Sequence, residues 1–340
     1  MKNEQVPSPT LKLAVSTSRL LGFPRKIDFL LFSATQPSKE ELNQYIQRLP
    51  KEEQHIFHRY EAGIMEKDVM AALAWLAQRD HGRGGVVFLG EKEWPTAWET
   101  EEFHTLFYFF QGQRPNLGSI LMQVTGTRRA TPAALRAAYA FGLEMGYAGI
   151  PLLTGLSAGV EQASAEGVLD AGGEVIALLP GGLSYEYPYC PRLRRKILEK
   201  GTLLSCNLPT YPARPWSFSR KSQLSGTLAT ITVAIQYPAC SGVRYVIEAA
   251  LDHGREVYVH AAGTEDGQES IGSKRLVEEG AEVISSYCNV AKSQGRGFPF
   301  PQLMVSSQRM RPLDRCPCSS ETPVHYKFGT WYSVRRTDEA

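Results

Sequence analysis

Three short stretches of this 340-residue chain join glycine to groups that bind oxyanions: Gly126-Thr127-Arg128, Gly155-Leu156-Ser157-Ala158-Gly159 and Pro180-Gly181-Gly182. A glycine at a turn lets the backbone come close to a phosphate. A helix starting just beyond adds free N–H donors and the positive end of its dipole. Arg128 adds a guanidinium able to grip phosphate with two hydrogen bonds, and Ser157 a hydroxyl. The expected phosphate-binding set is Gly126, Thr127, Arg128, Gly155, Ser157, Gly159, Gly181 and Gly182, joined by Arg220 and Lys221. A plain strand-to-helix turn would account for any one of these loops; three together make a concave phosphate-binding rim. The three-glycine dinucleotide fingerprint is absent, which argues against a nicotinamide-dependent dehydrogenase.

Charge is distributed unevenly. The whole chain carries a formal +2, yet residues 190–225 hold eight Lys and Arg against Glu199 alone, a local +7. Such a stripe on a near-neutral chain points to a polyanionic partner. Taken alone, Arg192 to Lys200 is equally compatible with the solvated face of a helix. Tyr185, Tyr187 and Tyr189 alternate nearby, and Trp216 and Phe218 stand beside Arg220 and Lys221. Aromatic rings interleaved with cations suit a single strand, whose unpaired bases can stack; the same rings can equally pack the interior or a contact between copies, the reading preferred for Phe218.

The elements that must position these groups follow from hydrophobic periodicity. Strands are expected over residues 120–125, 150–154, 174–179, 202–205, 229–235, 256–259 and 282–284, and helices over 132–145, 160–171, 191–200, 242–253 and 272–279. Thr131 and Pro132 are placed to start the first of these helices. The alternation implies right-handed crossovers: an α/β, Rossmann-like parallel sheet with helices on both faces, whose ligands sit beyond the carboxyl ends of the strands. Residues 1–110 are expected to form a small, mainly helical N-terminal domain, residues 111–288 the Rossmann-like domain, and residues 289–340, rich in Pro and Gly, an irregular or disordered tail.

Composition narrows the class further. The longest apolar run, from Val69 to Ala77, is too short to span a bilayer. The first residues lack the apolar core of a secretion signal, and six scattered cysteines form no disulfide framework. A cytoplasmic protein is expected. Cys316, Cys318 and His325 supply at most three of a tetrahedral site's four ligands, so neither a metal nor a cofactor is expected.

The motifs resemble those of the DNA-processing protein A (DprA/Smf) family. Its Gly-Ser-Arg appears as Gly126-Thr127-Arg128, and its Gly-Leu-Ala-x-Gly-Ile-Asp as Gly155-Leu156-Ser157-Ala158-Gly159-Val160-Glu161. Its glycine turn and Tyr-Pro match Gly181-Gly182 and Tyr187-Pro188; Gly201-Thr202-Leu203-Leu204-Ser205, Ser241-Gly242 and Gly254-Arg255-Glu256-Val257-Tyr258 follow in the same order. The resemblance implies a non-enzymatic protein that binds single-stranded DNA, forms a homodimer and helps load RecA recombinase in transformation or recombination. Departures lie at Phe218-Ser219-Arg220-Lys221-Ser222-Gln223, where the family has Phe-Pro-Arg-Arg-Asn-Arg, at Ala165 in place of His, and at Cys206 in place of Glu. The usual C-terminal winged helix is not recognisable. Two alternatives stay open: a phosphoribohydrolase-like, nucleotide-binding enzyme of the same broad fold, using Glu186 after the Pro-Gly-Gly turn, and a scaffold that has lost DNA binding.

Overall fold

A computed structural model describes residues 8–19, 21–78, 83–99, 105–185, 187, 190–293, 303–308, 324–328 and 330–336. The chain opens with five helices: α1 (Pro9–Thr17), α2 (Phe23–Ala34), α3 (Lys39–Gln47), α4 (Lys51–Glu61) and α5 (Lys67–Ala77). Serines set two of their starts. The Ser8 hydroxyl accepts the Leu11 N–H at 3.2 Å, and Ser38 and Glu41 form a reciprocal capping box.

Strands β1 (Gly84–Phe88) and β2 (Phe107–Gly112) follow. They pair antiparallel with each other, and β2 continues antiparallel onto β6 (Thr202–Ser205) with Phe109 opposite Ser205. Strand β1 and most of β2, which fall within the first unit of residues 1–110 expected from sequence, are thus part of the sheet. The helices hold on to this edge: Trp75 meets Phe109 edge-on, and the Lys12 ammonium reaches the Glu91 carboxylate at 2.6 Å.

The remaining strands, β3 (Met122–Thr125), β4 (Leu152–Thr154), β5 (Val175–Leu178), β7 (Ile231–Ala234), β8 (Glu256–His260) and β9 (Glu282–Ile284), are parallel to one another and to β6. The nine-stranded order is β1-β2-β6-β5-β4-β3-β7-β8-β9. Every residue of β3, β4, β5, β6 and β7 is buried, as strands covered on both faces require.

One face carries α6 (Pro132–Ala148), α7 (Val160–Asp170) and α8 (Pro191–Lys200). The other carries α9 (Pro215–Leu228), α10 (Val243–Asp252) and α11 (Ile271–Glu278), as right-handed crossovers in two opposite directions demand. The Thr131 hydroxyl caps α6 by accepting the Ala134 N–H at 3.2 Å. Helix α9 is absent from the sequence-based series; Pro212, Pro215 and a run of polar residues disguise it, although Pro215 occupies the first turn, where a missing N–H costs nothing.

The tail also differs from expectation. Helix α12 (Tyr287–Ser293) and strands β10 (Leu303–Gln308), β11 (Val324–Lys327) and β12 (Thr330–Arg336) are ordered, the strands forming an antiparallel sheet in the order β10-β12-β11. Their β-branched and aromatic residues favour strands; the Pro and Gly that suggested disorder lie between these segments. The small sheet docks on α6 and α7: buried Tyr332 lies 5.0 Å from Tyr139 between ring centroids, and Lys327 pairs with Glu166 at 2.5 Å.

Candidate nucleic-acid interface

The sheet's connections run one way from β3 and the other way from β7. That switch point leaves a crevice at the carboxyl ends of the two strands. A cleft of about 530 Å³ occupies it. Its walls are the turn after β3, the turn after β4, the first two turns of α9, the segment 238–246 after β7, and Glu269.

Gly126 lets the β3 turn fit. A Cβ there would stand 2.6 Å from a Val160 methyl and 2.8 Å from the Gln236 carbonyl. The Thr127 N–H donates to that carbonyl at 2.6 Å, and the Thr127 hydroxyl accepts the Arg129 N–H at 3.2 Å. With the backbone so tied, Arg128 and Arg129 project to solvent from the rim, neither in an ion pair among the described residues.

The turn after β4 is knitted to the first. Gly159 has φ +85 and presses on the Thr127 and Arg128 carbonyls, while the Val160 N–H donates to the Thr127 oxygen at 3.3 Å. Leu156 is fully buried at φ 56, a left-handed conformation costly for a bulky side chain. It is held by its own N–H to Thr154 Oγ1 at 3.1 Å and by the Gln162 amide on its carbonyl at 2.9 Å.

Glu161 completes the clamp. One carboxylate oxygen accepts the Thr125 hydroxyl at 3.2 Å and the other the Ser157 N–H at 2.9 Å. A methyl on Gly155 would collide with Lys221 Nζ and approach Glu161 Oε2 at 3.0 Å, so glycine leaves room for the lysine end. Lys221 is only 7% exposed, it lines the cleft, and no described residue bonds its ammonium.

The cleft thus brings together Gly126, Thr127, Arg128, Ser157 and Lys221, with Gly155 and Gly159 directly behind its wall. Three of the expected residues lie elsewhere. Gly181 and Gly182 pack against the segment 208–213: the Gly182 N–H donates to the Tyr211 carbonyl at 2.8 Å, and the Ser205 hydroxyl to the Gly181 carbonyl at 2.8 Å. Arg220 turns away from the cleft, donating to the Thr105 hydroxyl at 3.0 Å beside Cys206, whose thiol burial pushes up to about 12. Phe218, read from sequence as a packing residue, both meets Tyr187 edge-on at 5.2 Å and lines the cleft. Arg129, Glu161, Cys240, Ser241 and Tyr245 are lining residues the sequence reading did not select. The switch point would have found the last three, because the loop after β7 must face the loop after β3.

Glu186, on which the hydrolase alternative depends, and Cys316 and Cys318 lie outside the described residues. Among the described residues no His, Cys, Asp and Glu cluster is arranged to hold a metal, and no helix is long and apolar enough to cross a membrane.

A mostly parallel sheet with a crevice at its switch point defines a Rossmann-like fold. The family model for DNA recombination-mediator protein A matches residues 85–294, well over half of the chain, and the chain belongs to that family. It is 24% identical over 221 residues to Protein Smf of Escherichia coli, covering 64% of this chain and 58% of that protein. It is 28% identical over 211 residues to Protein Smf of Synechocystis, covering 60% and 50%. The chain spans about half the length of the curated relatives it matches. Among solved structures, DNA processing protein A of Streptococcus pneumoniae superposes with a TM-score of 0.65 at 18% identity, covering 83% of this chain and 97% of that one. The Helicobacter pylori protein gives 0.56 at 21% identity, covering 63% and 96%.

Proposed function

We propose that this protein binds single-stranded DNA, threading the sugar–phosphate chain through the cleft between Arg128 and Lys221, and acts as a recombination mediator that protects the strand and delivers it to a RecA recombinase. The observation that carries the reading is Lys221: a side chain only 7% exposed, its ammonium bonded to no described residue, in a cleft rimmed by two arginines that are in no ion pair among the described residues. A phosphate supplies the anion that this arrangement lacks. Family membership supports it, and the Helicobacter pylori relative was solved for its single-stranded DNA binding mode. The homodimer, the RecA contact and the site residues themselves belong to the same proposal.

The test is a titration of oligo-dT across a salt series. Binding whose logarithm falls linearly with log salt, with a slope reduced in both Arg128→Ala and Lys221→Ala, supports it. A slope untouched by both substitutions ends it.

A further inference from the structure

A second surface lies beside the cleft. Tyr185, Tyr211 and Trp216 are 41%, 36% and 48% exposed, unusually open for such large rings. Tyr185 and Tyr211 flank the Gly181 turn. The Tyr185 ring leans over Gly181, where a Cβ would touch it at 3.1 Å, and the Tyr211 carbonyl stands 3.3 Å from the same point. Tyr211 and Trp216 lie 6.2 Å apart between centroids. The patch is continuous with the cleft through α9: Pro215, Phe218 and Ser219 line the cleft, and the Ser219 hydroxyl bonds the Trp216 carbonyl one turn back. Arg214, exposed and in no ion pair among the described residues, adds positive charge between the two.

We infer that Tyr185, Tyr211 and Trp216 form a stacking shelf for the bases of the nucleotides that leave the cleft. The Gly181-Gly182 turn therefore serves to seat aromatic rings, where the sequence suggested a phosphate contact. The reasoning rests on the single-strand reading of the cleft. A polyanion held at Arg128 and Lys221 must continue past α9, and there it meets three π-faces next to a cation. Stacking requires the bases, while the phosphate contacts require only the backbone and weaken steeply with salt. The shelf and the cleft thus contribute separable parts of the affinity.

Two oligonucleotides of equal length separate them: oligo-dT, and an abasic strand that keeps the phosphates and lacks the bases. Wild-type protein is expected to prefer oligo-dT by about tenfold or more, as stacking of one or more bases implies. The triple variant Tyr185→Leu, Tyr211→Leu, Trp216→Leu is expected to lose that preference with its salt slope intact, and the variant Tyr185→Leu, Tyr211→Leu, Trp216→Phe to keep part of it. Trp75, Trp94 and Trp98 are buried, so bound oligo-dT should quench wild-type fluorescence more than that of Trp216→Phe. An unchanged dT-to-abasic ratio in the triple variant overturns the shelf, and so does a shift in oligomeric state with that ratio intact, which would make the patch a contact between copies. Failure of both oligonucleotides to bind wild-type protein instead sinks the reading of the cleft.

Discussion

Glu161 holds Ser157: its carboxylate takes the Ser157 N–H at 2.9 Å and, through its other oxygen, the Thr125 hydroxyl at 3.2 Å. One acidic side chain thereby joins the ends of β3 and β4 and shapes the wall facing Lys221. An acid inside an oxyanion site looks misplaced, but both its oxygens are engaged in holding backbone and hydroxyl. Glu161→Ala should lower stability by about 1–3 kcal/mol, the cost of leaving buried donors unsatisfied. It should also weaken oligo-dT binding, while Glu161→Gln retains part of both. Chemical denaturation and the binding titration together read the two effects.

Arg128 and Arg220 should behave oppositely. Removing the exposed Arg128 should leave Tm unchanged and reduce the salt slope by about 0.7, the loss of one single-strand phosphate contact. Arg220→Ala should lower Tm and leave the slope unaltered, because its guanidinium braces α9 against Thr105.

Gly159→Ala places a side chain at φ +85 against the Thr127 and Arg128 carbonyls. Backbone cannot yield there as a flexible side chain can. Destabilisation of at least about 1–3 kcal/mol is expected, with binding weakened as the β3 turn shifts. Gly155→Ala meets chiefly the mobile end of Lys221 and should cost less stability than affinity.

Two buried groups give stability opposite pH dependences. Burial pushes the Glu144 carboxyl up to about 8 from 4.5, against the pull of the Tyr287 N–H it accepts at 2.5 Å. Between these values the folded chain keeps a proton that the unfolded chain releases, so stability falls as pH rises from about 4.5 to 8. Burial lowers His260 to about 4 from 6.5, opposed by the Ser285 carbonyl. Its Nδ1 accepts the Ala262 N–H at 3.1 Å, which suits only the neutral ring. Stability from this group is lost as pH falls through the window from 6.5 to 4. Denaturation midpoints across pH should show Glu144→Gln abolishing the alkaline decline and leaving the acid one.

Tyr332 anchors the small C-terminal sheet on Tyr139. Tyr332→Ala should weaken that docking by about 3–5 kcal/mol, the usual cost of truncating a buried aromatic. Hydrogen exchange should then speed up in β10 and β12 while β3, β4 and β5 stay protected.

Much of the fold was legible because buried parallel strands are continuous apolar runs. The apolar runs flanking Met122–Thr125 and Ile231–Ala234 announce their strands within two residues, and Pro191–Lys200 and Thr202–Ser205 coincide with expectation. Helix α9 was hidden because its buried face is built of Ser217, Lys221, Ser222 and Ser225 beside Leu224, giving no hydrophobic stripe. That concealment is itself tied to the site, since a helix placing a cation in a crevice must carry polar residues inward. The glycine loops could be found by composition, but which of them meet depends on strand order. Gly181-Gly182 follows β5, two strands away from β3, and so misses the crevice.

Arg128 and Lys221 come from opposite sides of the sheet, the first from the turn leading into α6 and the second from α9. Whatever occupies the gap between them fastens two helical layers that are otherwise coupled through the strands. Occupancy should therefore stiffen the protein on both sides at once, so that a strand caught at one edge is felt, as slower opening, across the full thickness of the domain.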